Sequence, residues 1–574
     1  KNPNNKMANF SSSPGVKLNE IDNSFITPSP VSAGAAIIGP TVKGPVELPT
    51  VVTSYSDFKD KFGGSFNSGS NSFSFLTSVS AYNYFTEGGE SLLVARVTSG
   101  SFTAASSSIA VATSTSSSIV FETLSKGIVM NTGVDFDSDG VLTNGTVDNI
   151  KYEISGANTG SGTFNVLVRQ GNDKNSDPII LETFNKVSLD PNQSNFISKI
   201  IGDQVVAYDS GTNQIDITSG EFSNASRYIR VKSIPNLTPD YFDNTGLAKT
   251  TLTQHIPING TGSFNGAFGT DFPKSKAANY FKNIASQTQG LAGTDYDNMI
   301  SLLSNINDYQ FNVLSTPGLN NDDHTAQITS LINNTIERGD NIFVMDTVGY
   351  AGTLANALTQ ATTRNTSYAS TYWPWLRVQD PETGKLVFVP ASTMIPGVYA
   401  HNDKVANTWN APAGISRGGL STVLQAKLKL TEANKASLYD GNINPIATFP
   451  KKGVVVFGQK TLQKAVSALD RINVRRLLID LKSFIGQVAD TLVFEQNTIT
   501  TRNKFLTTVT PYLENIQQNG GLFAFKVIMD DTNNTDDVID RNQLVGQIYI
   551  QPSKTAEFIS LDFIVLPTGA EFPA

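Results

Sequence analysis

The chain has 574 residues, a net charge of −8, only 16% charged side chains and no cysteine. A chain of this length is too long for one hydrophobic core, so we expect about two to four domains. The lack of cysteine excludes disulfides, thiolate zinc sites and cysteine nucleophiles. The acidic balance argues against a protein that coats nucleic acid, and 39% hydrophobic residues exclude wholesale disorder.

The sequence has no segment typical of secretion or of membrane insertion. Residues 1–10 are polar and lack the apolar core of a signal peptide. The longest apolar runs, residues 453–457 and 563–566, are strand-sized and far short of the ~20 residues that span a bilayer. We therefore expect a soluble protein without a membrane partner.

The first thirty residues are typical of an extended arm. Pro14, Pro28 and Pro30 interrupt this segment, and its apolar residues are too few to fold by themselves. We assign residues 1–31 to an extended N-terminal arm.

Two separate stretches alternate strands and helices. Such alternation is typical of an α/β layer, so we assign residues 32–100 and 251–415 to the two parts of a middle α/β domain. The predicted strands are 33–40, 91–97, 311–314 and 342–348, and the predicted helices are 55–62, 73–85, 297–306, 326–338 and 354–363.

Composition changes between these two stretches. Residues 101–118 are rich in Ser, Ala and Thr and low in complexity, which predicts a crossing between domains. Short alternating segments with Gly and Asn turns follow as far as about residue 250. The segments are 150–154, 163–168, 179–184 and 228–231. We assign residues 101–250 to a β-rich outer domain inserted into the middle domain.

The last block, residues 416–574, contains the clearest helix of the chain. Its apolar residues recur at steps of four and three, which places them on one helical stripe: Val474, Leu478, Leu481, Ile485 and Val488. Two late strands follow, the first with Leu544, Ile548 and Ile550 on one face, the second with Ile559, Leu561, Phe563 and Val565. A strand pair at this position has exposed edges unless something pairs with it.

Two motifs come close to catalytic or nucleotide-binding patterns. Residues 453–461 resemble a phosphate loop, but Gln459 separates the second glycine from Lys460, and we expect residues 454–457 to be tied into a sheet. Residues 414–418 match the G-x-S-x-G pattern of a nucleophile elbow. A nucleophile elbow needs a strand before the serine and a helix after it, but Pro412 precedes Ser416 and Gly419 follows it. We therefore predict a glycine-rich loop.

Metal ligands are also incomplete. Asp135, Asp137 and Asp139 form the first half of a calcium loop, but Thr146 stands where a bidentate Glu is needed. A polar turn explains the same residues through Asx-turn hydrogen bonds, and a weak calcium site stays open as the alternative. The three histidines, His255, His324 and His401, have no metal-ligand spacing. The sequence predicts no catalytic residue, no cofactor and no metal, and hence no enzyme.

Blocks of sequence in the first hundred residues resemble the contractile-tail sheath proteins of bacteriophages. The matching blocks are Ser-Pro-Gly-Val-Lys-Leu-Asn-Glu at 13–20 followed by 21–24, Ala-Ala-Ile-Ile-Gly-Pro at 35–40 running into 43–45, and the segments 54–64 and 88–96. The C-terminal third is most similar to the T-even-like branch. Its matching segments are 449–453, 470–477, 533–534, 538–542 and 547–550. Segments 373–375 and 412–414 also fit, and the insertion matches only through 181–184 and 189–191.

The resemblance implies a multidomain α/β and α+β fold. In this family an inner domain is built from both chain ends, and the subunits stack as hexameric rings around a rigid tube. The N-terminal arm and the C-terminal strand complete sheets in neighbouring subunits. The implied partners are other copies of the chain, the inner tail tube protein, and baseplate and tail terminator proteins. The implied location is the virion tail, and the host cytoplasm during assembly.

Specific residue roles follow from combining the resemblance with the residue patterns. We expect Val16, Leu18 and Ile21 to insert as a strand against the two late strands of other subunits. We expect the tube to contact a helix at 471–490 or 502–517, with Pro511 kinking or dividing the second. The tube-facing candidates are Arg475, Arg476, Lys482, Arg502 and Lys504.

Two other functions stay open at this point. The chain could be the sheath of a phage-derived contractile injection system or tailocin rather than of a virus. An enzyme using the α/β middle domain is the other alternative, although a complete acid–base set is missing from the sequence.

Overall fold

The computed structural model describes residues 31–68, 71–111, 114–269 and 287–558. The arm residues Val16, Leu18 and Ile21 lie outside the described part, as do Ile559, Leu561, Phe563 and Val565. The described residues form a mixed α/β protein with several sheets.

The first described stretch alternates strands and helices as predicted. Its elements are β1 (Val31–Gly39), β2 (Thr50–Val52), α1 (Tyr55–Phe62), β3 (Phe66–Ser68), β4 (Asn71–Phe73), α2 (Leu76–Thr86) and β5 (Leu92–Arg96). Helix α1 begins where Ser54 Oγ accepts a hydrogen bond from Asp57 N at 3.1 Å, and it ends at Gly63 with φ of 74°. An N-cap hydroxyl and a C-terminal glycine with positive φ are the usual helix limits.

The inserted region is built mainly of strands. Its elements are β6 (Ala104–Val111), β7 (Ser114–Lys126), β8 (Ile150–Asn158), β9 (Thr163–Gln170), β10 (Ile180–Ser188), α3 (Ile197–Ile201), β11 (Val205–Asp209), β12 (Gln214–Ser219), β13 (Ile229–Ser233), α4 (Thr250–Thr253) and β14 (Gly260–Ser263). The sheet orders are β10-β9-β8-β14 and β13-β7-β6, with β11-β12 as a separate pair. These strands enclose a core of their own, which includes Phe121, Phe164 and Phe264.

The prediction for residues 101–118 was wrong. This Ser-rich stretch is not a crossing but the strand β6 and the start of β7. Ile109, Val111 and Ile119 are buried and form the apolar face of these strands. The many serines around them make this face hard to recognise from composition. Because β14 pairs with β8, the inserted sheet also continues past residue 250.

The next stretch returns to alternating helices and strands. Its elements are β15 (Gln287–Thr288), β16 (Leu291–Ala292), α5 (Asp297–Leu302), β17 (Tyr309–Asn320), α6 (Thr325–Arg338), β18 (Ile342–Asp346), α7 (Leu354–Thr362), β19 (Ala369–Trp373), β20 (Leu376–Gln379), β21 (Leu386–Val389), α8 (Ile395–Val405), β22 (Val423–Ala426), α9 (Glu432–Asp440), β23 (Asn444–Phe449) and β24 (Gly453–Val456). All the predicted helices and strands between 297 and 363 are present, although α5 is shorter than expected.

A single eight-stranded sheet organises the middle of the molecule, in the order β2-β5-β1-β17-β18-β19-β23-β24. The six inner strands are parallel, and the two edge strands, β2 and β24, are antiparallel to their neighbours. Alternate residues of β1 enter different cores: Ala35 and Ile37 pack on one face, Ala36 and Ile38 on the other. Burial of both faces explains why these strands read as continuous apolar runs.

The last described elements form a helical hairpin and a ribbon. They are α10 (Ile472–Asp490), α11 (Ile499–Gln518), β25 (Leu522–Ile528), α12 (Asp536–Asp540) and β26 (Gln547–Pro552). Helix α11 is one helix with Pro511 inside it, so Pro511 does not divide it. Strands β23 and β24 belong to the large sheet, which therefore extends beyond residue 415. We call residues 472–552 the hairpin unit.

A buried carboxyl group lies at the end of β18. Asp346 is 5% exposed, and its oxygens accept hydrogen bonds from Ser392 N, at 3.1 Å, and from Ser392 Oγ, at 2.5 Å. Ser315 Oγ donates to the Ser392 carbonyl at 2.9 Å. Burial raises the pKa of Asp346 to about 7, and the two donated hydrogen bonds only partly oppose the rise.

The raised pKa predicts a specific pH dependence of stability. A carboxyl group whose pKa is higher in the folded state binds more protons when folded, so stability falls as the pH rises from about 4 to about 7. The size is about 1.4 kcal/mol for each unit of pKa difference. Asp346→Asn removes the titrating carboxyl group and therefore this loss of stability with rising pH. The unfolding midpoint of the variant, measured by circular dichroism, should rise relative to that of the parent between pH 4.5 and pH 7.5.

The matched control is Asp490→Asn, which removes a carboxylate at an exposed position at the end of α10. If the midpoint difference between Asp346→Asn and the parent is the same at both pH values, Asp346 does not titrate as proposed.

Candidate functional site

The hairpin unit is held together by an apolar cluster of its own. Its buried members are Leu477, Leu481, Leu492, Phe505, Val509, Leu513, Ile516, Leu522 and Met529. The rings of Phe484 on α10 and Tyr512 on α11 stack at a centroid distance of 3.8 Å. The predicted stripe of α10 is confirmed, since Leu478, Leu481, Ile485 and Val488 all pack in this cluster and Val474 is also buried.

The ribbon of β25 and β26 has open edges. These two strands pair antiparallel with each other and with none of the other described strands. One face of the ribbon packs on the helices, while Phe523 and Tyr549 are 75% and 56% exposed. A two-stranded ribbon with both outer edges open can accept one further strand at each edge.

The predicted residues of the first late strand lie at this ribbon. Ile548 and Ile550 share a face of β26, as predicted, and Leu544 precedes the strand. All three are half-buried against the apolar cluster of the hairpin unit. Their side chains therefore hold the ribbon on the helices, which leaves the strand edges as the part open to a partner.

Arg475 and Arg476 do not face outward. Each is only 4% exposed. Arg476 makes two hydrogen bonds to Asp403, at 2.9 and 2.5 Å, and its guanidinium lies 4.7 Å from the centroid of the Tyr399 ring. Burial alone would lower the pKa of Arg476, but the Asp403 carboxylate outweighs burial and raises it.

Arg475 has a similar position. Its Nη2 donates to Ser367 Oγ, and its guanidinium lies 4.0 Å from the centroid of the Tyr368 ring. Burial lowers the pKa of Arg475 below its ordinary value. Both arginines thus fasten α10 to the large-sheet part of the same chain, so the prediction that they face a tube needs correction. We expected the adjacent arginines to contact another protein, but both reach acceptors inside the fold.

Of the three other tube-facing candidates, one is buried and two are exposed. Arg502 is 4% exposed and donates to Asn497 Oδ1 at 2.8 Å and to Asp531 Oδ1 at 2.5 Å. Lys482 and Lys504 are exposed. Lys504 lines a cavity of about 210 Å³ between the two helices together with Phe484 and Leu492. Lys482 and Lys504 remain candidates for an intermolecular contact.

The loop between α10 and α11 exposes large apolar side chains. Val493 is 59% exposed, Phe494 is fully exposed, and Ile499 at the start of α11 is 65% exposed. Phe494 has φ of 72°, a backbone conformation that non-glycine residues rarely adopt. Several exposed apolar residues in one loop indicate a contact surface. We did not predict this loop from the sequence. The available signal was the apolar pair Val493-Phe494, which lies between the end of α10 and the polar residues Glu495, Gln496 and Asn497.

The calcium-like loop is organised by a lysine. The Lys151 ammonium is fully buried and donates to the carbonyl oxygens of Gly140, at 2.9 Å, and Asp173, at 3.0 Å, while pairing with the Asp173 carboxylate at 2.5 Å. Asp137 Oδ1 accepts from the backbone N–H groups of Asp139 and Val141. The predicted Asx turn is therefore present, and a protein cation lies beneath the loop.

The other two near-motifs have structural roles. Residues 453–456 form β24, so their backbone is tied into a sheet as predicted. The segment 414–420 covers the outer edge of β24: Gly414 N donates to Val456 O at 2.9 Å, and Val456 N donates to Gly418 O at 2.7 Å. A Cβ on Gly418 would lie 2.7 Å from Val456 O, which explains the glycine. This predicted loop protects a sheet edge.

The histidines lie apart from one another. His324 is buried before α6, where its Nδ1 accepts from Asn320 N at 3.3 Å, and burial lowers its pKa. His401 Nδ1 lies 3.8 Å from Glu87 Oε2. Within the described ranges, no three His, Asp or Glu side chains are grouped so that they could hold a metal ion. Among the described helices, none combines the length and apolarity that a bilayer crossing needs.

Comparisons with known proteins identify the C-terminal part of the chain. Residues 465–565 match the family of the phage tail sheath C-terminal domain. Tail sheath proteins of Vibrio phage KVP40 and Enterobacteria phage T4 are 42% and 40% identical over 185 residues. In both comparisons the match covers 32% of this chain and 28% of the relative. The chain thus matches well under two thirds of the length of these relatives.

A solved structure extends the similarity in fold over nearly the whole chain. The crystal structure of a sheath tail protein from Listeria innocua aligns with a TM-score of 0.51 and 12% identity, covering 91% of this chain and 95% of that protein. At this identity the match concerns the fold alone. The C-terminal match and the two phage relatives thus show similarity to phage tail sheath proteins over about a third of this chain, and the Listeria structure shows a similar fold over most of it.

Proposed function

We propose that the chain is the subunit of a contractile tail sheath. In this proposal it polymerises as stacked hexameric rings around an inner tube and contracts to drive the tube through the host envelope for genome delivery. The observation that carries the proposal is the β25–β26 ribbon, which pairs only with itself among the described strands. The similarity of the C-terminal part to phage tail sheath proteins supports the expectation that other copies fill its edges.

The proposed ties between subunits are added β-strands. The arm residues Val16, Leu18 and Ile21 of one neighbour and residues 559–565 of another would each pair with one edge of the ribbon. Each backbone hydrogen bond contributes about 0.5–1.5 kcal/mol net. A strand of a few residues therefore adds several kcal/mol, yet its chain connection to the donor subunit leaves that subunit able to rotate.

The buried arginines supply the rigid part of the mechanism. Arg475 and Arg476 fasten α10 to the large-sheet part of the chain through Ser367, Tyr368 and Asp403. A packed core of this kind does not deform continuously. In the proposed contraction the hairpin unit and the large sheet move as one block, and the connecting strands take up the change.

Contraction in this scheme needs no nucleotide. The extended lattice is a trapped state, and the contracted lattice buries more surface between subunits. A gain of a few kcal/mol per subunit, summed over on the order of a hundred copies, is enough to move a tube, because interface rearrangements amplify small shifts. The β-rich insertion has its own core, and we assign it a role in shielding, solubility and decoration.

We further propose that the tube contacts the exposed part of the hairpin unit. Phe494 at the loop tip supplies apolar surface, and Lys482 and Lys504 supply charge. The other proposed partners are baseplate and tail terminator proteins at the two ends of the sheath. The proposed location is the virion tail, with assembly in the host cytoplasm.

Removal of the arm tests the strand ties. Deletion of residues 7–24 should leave folded monomers with an unchanged circular dichroism spectrum, because the described cores lie outside this segment. These monomers should form no sheaths in negative-stain images. Deletion of residues 1–6 is the control and should leave assembly intact. Normal contractile particles from the 7–24 deletion would refute the proposed ties.

Charge reversal tests the tube contact. Lys504→Glu should weaken sheath docking on preformed tubes by about tenfold, because a reversed charge at an interface adds repulsion to the lost attraction. Lys482→Glu tests the other candidate separately. Co-sedimentation of sheath subunits with tubes measures both effects.

The matched control is Lys451→Glu, which makes the same change of charge at an exposed turn between β23 and β24. Arg476→Glu should behave differently from the three lysine variants, because the new carboxylate would face the carboxylate of Asp403 inside the fold. It should destabilise the monomer itself, by about 3–5 kcal/mol or more. Equal docking by the Lys504, Lys482 and Lys451 variants would exclude both lysines from the tube contact.

A further inference from the structure

The carboxylate of Glu557 is surrounded by hydrogen-bond donors although its chain segment is mostly exposed. Residues 553–558 follow β26 without regular secondary structure, and Lys554, Thr555 and Ala556 are exposed. The Glu557 side chain, in contrast, is only 18% exposed. Its Oε1 accepts from Arg471 Nε at 2.7 Å and from Gln459 Nε2 at 2.9 Å. Its Oε2 accepts from Arg471 Nη2 at 3.0 Å and from the Tyr439 hydroxyl.

The donors come from three different parts of the fold. Tyr439 lies on α9, Gln459 follows β24, and Arg471 is the residue that precedes α10. Backbone hydrogen bonds hold the last two together: Ile472 N donates to Gln459 O at 2.9 Å, and Thr461 N donates to Asp470 O at 3.0 Å. The receiving site is therefore fixed by the fold and not by the segment that it binds.

A second contact supports the same segment. Gln459, which is 3% exposed, also donates to Thr555 Oγ1 at 2.6 Å. The Phe558 ring meets the ring of Tyr439 edge-on at a centroid distance of 6.4 Å, although Phe558 itself is 84% exposed. The segment is thus fastened at Thr555 and Glu557, close to the last described residue, Phe558.

We propose that Glu557 and its three donors form a clasp that sets the length of the tether to the next subunit. The inference rests on the proposed function, since it takes the chain beyond residue 558 to pair with a neighbour. With the clasp closed, the free tether begins at residue 558. With the clasp open, it begins after Ser553, whose N–H donates to Gly521 O at 3.2 Å, and four more residues add a reach of about 14 Å, at ~3.3–3.6 Å for each extended residue. One subunit can then hold the same neighbour at two separations.

The charges around the clasp favour its closed state near neutral pH. Asp470 pairs with Arg471 at 3.0 Å, and the Lys460 ammonium lies 4.2 Å from the centroid of the Tyr439 ring. Burial would raise the pKa of Glu557, but its hydrogen bonds from Arg471, Tyr439 and Gln459 outweigh burial and lower it. Because the pKa of Glu557 is lower in the closed form, its carboxylate stabilises that form at pH values above the ordinary pKa of glutamate. This stabilisation is lost as the pH falls through the lowered pKa.

Trypsin provides a direct assay of the clasp in the full-length monomer. Lys554 lies inside the clasped segment, so cleavage after it requires the segment to open, and its rate follows the open population. Glu557→Gln should increase the initial rate of this cleavage by at least about tenfold, because the charged acceptor of Arg471 is lost. Mass spectrometry of the released fragment measures the rate. Tyr439→Phe, which removes one neutral donor, should produce a smaller increase.

The controls are within the same chain. Glu432→Gln removes a carboxylate that is 92% exposed and pairs with Lys435 three residues away, and it should leave cleavage after Lys554 unchanged. Cleavage after Lys451, on an exposed turn, should proceed at the same rate in every variant. An unchanged rate after Lys554 in Glu557→Gln would overturn the clasp. Because the assay uses monomers, that outcome is distinct from a failure of the parent chain to form sheaths.

Discussion

The outer edges of the β25–β26 ribbon, with which none of the described strands pairs, are the constraint on which the proposed assembly depends. A two-stranded ribbon is marginal by itself, and this one is held in place by the half-buried Ile548 and Ile550 on the helices α10 and α11. The helices in turn are fastened to the large sheet through Arg475 and Arg476. The fold therefore presents the ribbon rigidly, and in the proposed sheath its edges pair with strands from other subunits.

The two edges of the large sheet differ from those of the ribbon. The edge strand β24 is covered by the segment 414–420, with Gly418 allowing the close approach. At the opposite edge, Lys61 Nζ donates to the carbonyl of Val51 in β2 at 2.9 Å. Side chains or loop backbone thus contact both edges of the large sheet, whereas none of the described strands pairs with the outer edges of the ribbon.

Much of the fold could be predicted because burial leaves a periodic pattern. The apolar run at 33–40 predicted a strand, and the stripe from Val474 to Val488 predicted α10. The Ser-rich strand β6 was missed because its buried residues, Ile109 and Val111, are few among serines. Side-chain contacts across long sequence distances were beyond reach. The pairing of Arg476 with Asp403 and of Glu557 with Arg471 depends on the tertiary arrangement and leaves no local signal.

The lack of cysteine in the chain makes a cross-linking measurement of the strand ties direct. Two populations of sheath subunit would each carry one cysteine, Leu18→Cys in the first and Tyr549→Cys in the second, and would be mixed, assembled and oxidised. We predict a disulfide-linked dimer containing one subunit of each kind, and cysteines at neighbouring positions along the arm would give the register of the strand pairing. A further sample would contain a subunit that carries both cysteines, diluted in cysteine-free subunits. The proposed ties would be contradicted if a disulfide formed within that single chain while the mixed assembly gave no dimer.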